Sequence, residues 1–376
     1  VTDVGWGAIS SVTWASPIVA FLVFEILGIN ILLLVLKKTN TMDVDIWNYH
    51  HMMIVGILVF FVTQNIVWAM VATAITAVMT FKFADWTQPL IEHFFGIPDV
   101  TLPTISYTSS IIIAAPLNWI IDRIPGLNKV NFSIKGVQKY LGVFGDPMML
   151  GFILGCAMGA LALFPFDQIF LTGINVAAVM VLMPKMTAMF VEGLMPISSA
   201  AQKFTSEKFG GRALSIGLDA AVVVGNPEVI TTALIMIPVT ILLAFILPGN
   251  RMMPLADLAV VTFRVALVVA LCRGNVFRSI LISIPVMAAI LYAGTFAAPF
   301  MTEMAQSAGL AFDGQIASMA GPSLTQTAII FWSCISENAI IVVPALVIAF
   351  IAVWYVVEKK ITMEKIEAYA AEYDEM

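Results

Sequence analysis

Apolar residues fall in long runs along this chain, and the polar residues that interrupt them are few enough to name. A helix that crosses a bilayer needs about 20 mostly apolar residues. Residues 17–36, 148–164, 169–189, 277–299 and 327–357 read as spans, and 52–80 reads as one long span. Residues 108–121 and 258–272 are apolar but short, and the first of these is expected to be re-entrant or tilted. The run 213–247 is long enough but broken. Asp219 lies near its start, and Gly225-Asn226-Pro227-Glu228 cuts it in two. Proline removes a donor and disfavours helix in the residue before it, and glycine permits backbone shapes that other residues avoid. The pattern predicts a discontinuous helix that restarts at Pro227, with Asn226 as its N-cap and Glu228 in its first turn.

Composition agrees with the pattern. Charged residues make up only 11% of the 376, apolar ones 60%, and the mean hydropathy is +0.98. A soluble domain is roughly a quarter charged. The predicted fold is therefore an all-α polytopic membrane protein, a single transport domain over 1–376. No internal repeat is legible, although transporters often hide inverted repeats in sequences that do not show them. The opening "VTDVGWGAISSVTWAS" is polar and glycine-rich, without the basic start and apolar core of a signal peptide. It reads as a stretch preceded by missing N-terminal segments.

The distribution of basic residues orients the spans, because cytoplasmic loops carry an excess of Lys and Arg. With Lys37 and Lys38 inside, alternation places 14 of the 18 basic residues on the cytoplasmic side, provided that 213–247 crosses once. Lys82 and Arg251 fall outside, while Lys185 and Arg264 lie within apolar runs. The cytoplasmic connections are then 122–147 and 192–212, and the charged tail 358–376 is cytoplasmic and reads as a solvated end.

An ionisable group at membrane depth costs several kcal/mol unless paired or hydrated, and such groups usually face a cavity. Asp219, with Asn226 and Glu228, is the first candidate for a substrate site; the alternative is a structural kink. Carboxylates and an amide suit the hydroxyls of a sugar or polyol. In "DVDIWNYHHMM" (43–53), Asn48 and His51 share a helical face, although His51 with Trp47 also fits a membrane-interface belt. In "LPTISYTSS" (102–110), Ser106, Tyr107 and Thr108 could face substrate from a re-entrant tip, or simply cap a loop. Near the N-terminus, Thr13 and Trp14 could offer a hydroxyl and a stacking face. Glu25 is a lone acid of the sort usually paired within the protein. Three scattered cysteines form no CxxC, and the histidines His50, His51 and His93 build no nucleophile–base set. No basic run suits a nucleic acid, no metal spacing is present, and no cofactor is implied.

Several stretches, taken in order, resemble the galactitol-type IIC membrane subunits of the phosphoenolpyruvate-dependent phosphotransferase system, within the ascorbate–galactitol superfamily. They are "DVGW" and "TWAS" (3–6, 13–16), "VDIWN" followed by His51, "FGDP" (144–147), "VLMPKM" (181–186) and "EGLMPI" (192–197). They continue with "EKFGG" (207–211), "IGLDAAVVVGNPEV" (216–229), "LPGNRMMPLADLA" (247–259) and "RGNVFRS" (273–279). The resemblance implies a permease subunit in a bacterial inner membrane that carries a sugar alcohol, galactitol by default. A separate cytoplasmic IIB subunit, working with IIA and carrying the phosphoryl group on its own cysteine, would pass that group to the substrate. It also implies a homodimer, inverted repeats, an elevator motion of a core against a scaffold, and Asp219 and His51 near the substrate. Members of the family have a His-Gly pair where this chain has Thr104-Ile105, and they vary at Asn226-Pro227-Glu228. A proton- or sodium-coupled secondary transporter of a polyol or sugar is the alternative reading.

Overall fold

The computed structural model describes residues 1–127, 130, 146–208, 214–311 and 313–373. The connection expected at 122–147 lies largely outside these residues, as do Lys129, Lys135, Lys139 and Arg212. The described residues are mostly helical, with five short strands. Among the described residues, six helices are long and apolar enough to cross a membrane, or seven if a bent N-terminal pair counts as one span.

The first half runs β1 (Thr2–Asp3), α1 (Gly5–Trp14), α2 (Val19–Val35), β2 (Thr41–Asp43), α3 (Ile46–Thr63), α4 (Ile66–Phe95), β3 (Val100–Thr101), α5 (Ile105–Thr108) and α6 (Ile111–Ile121). A hairpin of α7 (Pro147–Leu161) and α8 (Phe166–Lys208) follows. The second half repeats the order of the first. It runs β4 (Ser215–Gly217), a 3₁₀ turn (Ala220–Val222), α9 (Pro227–Ile246), a one-residue bridge at Met253, α10 (Val261–Leu271), α11 (Val276–Ser307), β5 (Ile316–Ala317), another 3₁₀ turn (Gly321–Ser323) and α12 (Thr325–Ile335). The chain closes with α13 (Ala339–Val356) and α14 (Met363–Ala371).

Each half lends its first strand to the other. β4 lies between β2 and β3, parallel to both, with Thr41 opposite Ser215 and Val100 opposite Ile216. β1 lies between β5 and Met253, again parallel, with Thr2 opposite both Ile316 and Met253. The 20-residue α9 separates the starts of the two strand sets by about 30 Å. The sets therefore run toward each other from opposite ends. The expected inverted repeat is present in the topology, where two-residue strands leave no sequence signature.

Four expectations about the course of the helices need correction. Residues 52–80 are not one span. Gln64 takes a left-handed conformation (φ 51°), and Asn65 caps the next helix by accepting from Val67 N–H at 2.9 Å. α3 and α4 then pack as a hairpin; Gly56 lies so close to Ala69 and Thr73 that no side chain fits between them. Residues 327–357 are likewise two helices, parted at 336–338. The segment 192–208 is not a loop but the continuation of the 43-residue α8 through Pro184 and Pro196. In 213–247 only the second part is a helix of any length. The first part is β4 and one 3₁₀ turn, which enter the protein and return, because Gly225, Asn226 and Pro227 line a recess beside Phe95, Gly96 and Ile97 at the end of α4. The segment still crosses once, through α9.

The hairpin also moves Lys82. Its ammonium donates to the Lys38 carbonyl at 2.8 Å and pairs with Asp85 (3.3 Å) and Glu358 (3.2 Å), so it shares the end of the molecule with Lys37 and Lys38. At the same end the tail is docked rather than solvated. Glu367 pairs with His93 at 2.6 Å, Glu372 with Arg273, and the Tyr369 hydroxyl donates to the Leu271 carbonyl at 2.6 Å.

A methyl group on Gly56 would lie 2.7 Å from the Ala69 carbonyl oxygen, whereas one on Gly28 would meet nothing within 4 Å. Overpacking of this kind costs about 1–3 kcal/mol. Gly56→Ala is expected to lower the unfolding temperature in detergent and Gly28→Ala to leave it unchanged or raised. Equal behaviour of the two would contradict the hairpin.

Candidate functional site

A cavity of about 340 Å³ lies where the two strand sets point at each other. Its ten lining residues all follow a strand end. Beyond β2, β3 and β4 stand Trp47, His51, Ser106, Asp219 and Ala221. Beyond β1, Met253 and β5 stand Trp6, Val260, Phe263, Arg264 and Ala320. Non-helical backbone at membrane depth is tolerated only against protein or a watery cavity, and here it lies against protein and this cavity. Each strand gives way to a helix or turn whose first N–H groups have no partner within it. Asp45 takes the Trp47 N–H at 2.8 Å, and Asp219 Oδ1 takes that of Ala221 at 2.8 Å.

Two polar side chains tie the strand ends together, one for each set. The Thr104 hydroxyl donates to Asn48 Oδ1 at 2.8 Å, accepts from the Ala220 N–H at 2.8 Å, and stands 3.5 Å from Asp219 Oδ2. It thus joins the ends of β2, β3 and β4. Asp257 does the same for the other set. Oδ1 accepts from Trp6 N–H at 2.8 Å, and Oδ2 accepts from Met319 N–H at 2.9 Å and from the Ser318 hydroxyl. Its own N–H goes to Asp3 Oδ2 at 3.0 Å.

Of the residues picked out in the sequence, Asp219, His51 and Ser106 line the cavity. The His51 Nδ1 lies 2.7 Å from the Trp47 carbonyl. A carbonyl only accepts, so Nδ1 carries the proton and Nε2 is left as an acceptor. The ring is stacked on Trp6, with centroids 4.5 Å apart and planes 15° apart. Asn48 stands behind the wall, holding Thr104 and donating to Asp43 Oδ1 at 3.3 Å. Tyr107 is fully buried away from the cavity. Thr108 donates to the Thr104 carbonyl and Thr13 to that of Ile9. Trp14 stacks on His50, 5.4 Å between centroids. Glu25 is not among the lining residues. Asn226 caps α9, accepting from Glu228 N–H at 3.0 Å, and lines the separate recess near Phe95 and Glu192. Glu228 is buried in the first turn of α9, beside Gly274. The structure therefore does not bring Asn226 and Glu228 to the cavity of Asp219. The turn of residues 220–225 carries the chain away from it.

Sequence reading passed over Trp6, Phe263, Arg264 and the tie Asp257. Trp6 had a signal, since it follows Gly5, whose φ of 76° turns β1 into α1. Arg264 had a stronger one, as a cation inside an apolar run. Among the described residues, no three His, Cys, Asp or Glu side chains are grouped to hold a metal ion.

A polytopic helical body with a small cavity of polar and aromatic side chains between two inverted halves is the architecture of a membrane carrier. The family profile described as EIIC-GAT, the sugar-specific permease component of the PTS (phosphotransferase system), matches residues 1–315, and the chain belongs to that family. It is a transport subunit, and its family works with IIA and IIB partners. It is 37% identical over 324 residues to a putative permease IIC component of Escherichia coli K12, covering 86% of this chain and 74% of that one. It is 36% identical over 322 residues to the galactitol-specific EIIC component of the same strain, covering 85% and 71%.

Thr104→Val keeps the shape but leaves the buried Ala220 N–H and Asn48 oxygen unpaired, at about 1–3 kcal/mol for each group. It is expected to lower the unfolding temperature clearly, with Thr104→Ser restoring most of the loss. No difference between Val and Ser would remove Thr104 as the tie.

Proposed function

We propose that this chain carries galactitol or a close alditol across a bacterial inner membrane, and that a cytoplasmic IIB subunit phosphorylates the substrate. The observation that carries the reading is the cavity wall. Asp219 and the His51 Nε2 are acceptors for hydroxyl protons, Ser106 both gives and takes, and Trp6 and Trp47 offer flat apolar faces to carbon-bound hydrogens. Ligand sites pair such apolar walls with a few placed polar groups. The similarity to a galactitol-specific component adds the substrate class.

In this reading the two halves and their cavity move as a body against the α7–α8 hairpin and α13. The hairpin packs mainly on itself and meets the halves chiefly through α9. The apolar windows of α8 and α13 are each only 17% buried, against 44–61% in the other spans, which leaves them for lipid and for a second copy in a homodimer. The end that gathers Lys37, Lys38, Lys82, Arg273, Lys359 and Lys360 is the cytoplasmic one, which puts the C-terminus there and makes that face the dock for IIB.

Asp219→Asn removes the carboxylate while retaining an oxygen for the Ala221 N–H. Galactitol binding is expected to fall at least tenfold, the worth of about one charge-assisted hydrogen bond, with the unfolding temperature nearly unchanged. Unaltered affinity would take Asp219 out of the site. In cells, uptake is expected to need IIB; accumulation of free alditol in its absence would favour an ion-coupled transporter instead.

A further inference from the structure

We propose that Arg264 is a substrate-binding residue, the second half's counterpart of His51, and that its guanidinium donates to hydroxyls of the bound polyol. The inference rests on the polyol reading of this cavity and adds a residue that decides which hydroxyl pattern is accepted.

The internal repeat makes the correspondence. In the first half, the strand β2 leads through the N-cap Asp45 into α3, and the cavity receives Trp47 and, four residues on, His51. In the second half, the bridge at Met253 leads through Asp257 towards α10, and the cavity receives Val260 and, four residues on, Arg264. Both side chains bond the carbonyl one turn back. His51 Nδ1 meets the Trp47 oxygen at 2.7 Å, and Arg264 Nη1 donates to the Val260 oxygen at 3.4 Å. The two residues thus stand at equivalent places on facing walls.

The chemistry of the walls differs. The wall formed beyond β2, β3 and β4 supplies Asp219, His51 and Ser106. On the facing wall, Arg264 is the only side chain with a charge. It is almost fully buried. Of its five N–H groups, one is held by Val260 and one by the Met319 carbonyl at 3.2 Å, and Nε has no acceptor among the described residues. A buried guanidinium with unused donors is costly, and a polyol hydroxyl in the cavity can accept from the Nη N–H groups that Val260 and Met319 leave over. Every hydroxyl both gives and takes a hydrogen bond, so a wall of acceptors facing a fork of donors can satisfy neighbouring hydroxyls together. Asp3 and Asp257 lie near enough to act electrostatically on the guanidinium, which partly offsets the cost of its burial without a direct ion pair.

The test is binding of galactitol and of its monodeoxy analogues to purified wild type, Arg264→Met and Arg264→Lys, with thermal unfolding measured alongside. Galactitol affinity is expected to drop about tenfold or more in Arg264→Met and less in Arg264→Lys, which keeps the charge but loses the planar fork. One deoxy analogue, lacking the hydroxyl that meets Arg264, is expected to bind weakly to the wild type. The two variants should discriminate less against it. Galactitol affinity unchanged in a folded variant, or full discrimination retained by both, overturns the assignment while leaving the polyol reading in place. No alditol binding by the wild type overturns both.

Discussion

Backbone that is neither helix nor closed barrel is hard to keep inside a membrane, because water is not there to take its hydrogen bonds. Six strand ends stop inside this protein, and the fold depends on how their amides are satisfied. The answer is exchange. Each half supplies the middle strand of the other's sheet, so neither sheet exists without both halves. Thr104 and Asp257 finish the work by binding what the short ladders leave over.

The same device makes the site. Strands that run in from opposite ends must stop before they meet, and the gap between them is the cavity. The turns and helix starts that follow the strand ends face that gap, and all ten lining residues lie on them. Polar groups concentrate there because the breaks need caps, and a cap with a spare oxygen, such as Asp219 Oδ2, already offers an acceptor to the cavity. Structure and function therefore draw on the same few side chains. This explains how the chain carries buried acids at Asp3, Asp43 and Asp257 without each being a site residue.

The fold class was legible in the apolar runs, and the break at Asn226-Pro227 in the chemistry of those two residues. Helix pairing was less so. Residues 52–80 show only Gln64 and Asn65 between two helices, and a two-residue polar turn looks like a blemish in one long span. Counting one span there also puts Lys82 at the end opposite Lys38, to whose carbonyl it donates. Asp219, His51 and Ser106 were legible as ionisable or hydroxyl groups in apolar company. Asn226 and Glu228 carried the same signal but serve a helix start, since a cap and a ligand use the same atoms. Trp6 and Arg264 join the cavity only through the strand exchange, which two-residue strands do not announce.

The central claim is that a polyol sits between the two sets of strand ends. Determining the structure of the purified protein with galactitol bound tests it most directly. The account predicts density for the ligand between Asp219, His51 and Trp6, with hydroxyls within hydrogen-bond distance of the carboxylate. Density lodged instead in the recess beside Asn226, Pro227 and Glu192, with an empty central cavity, would contradict it.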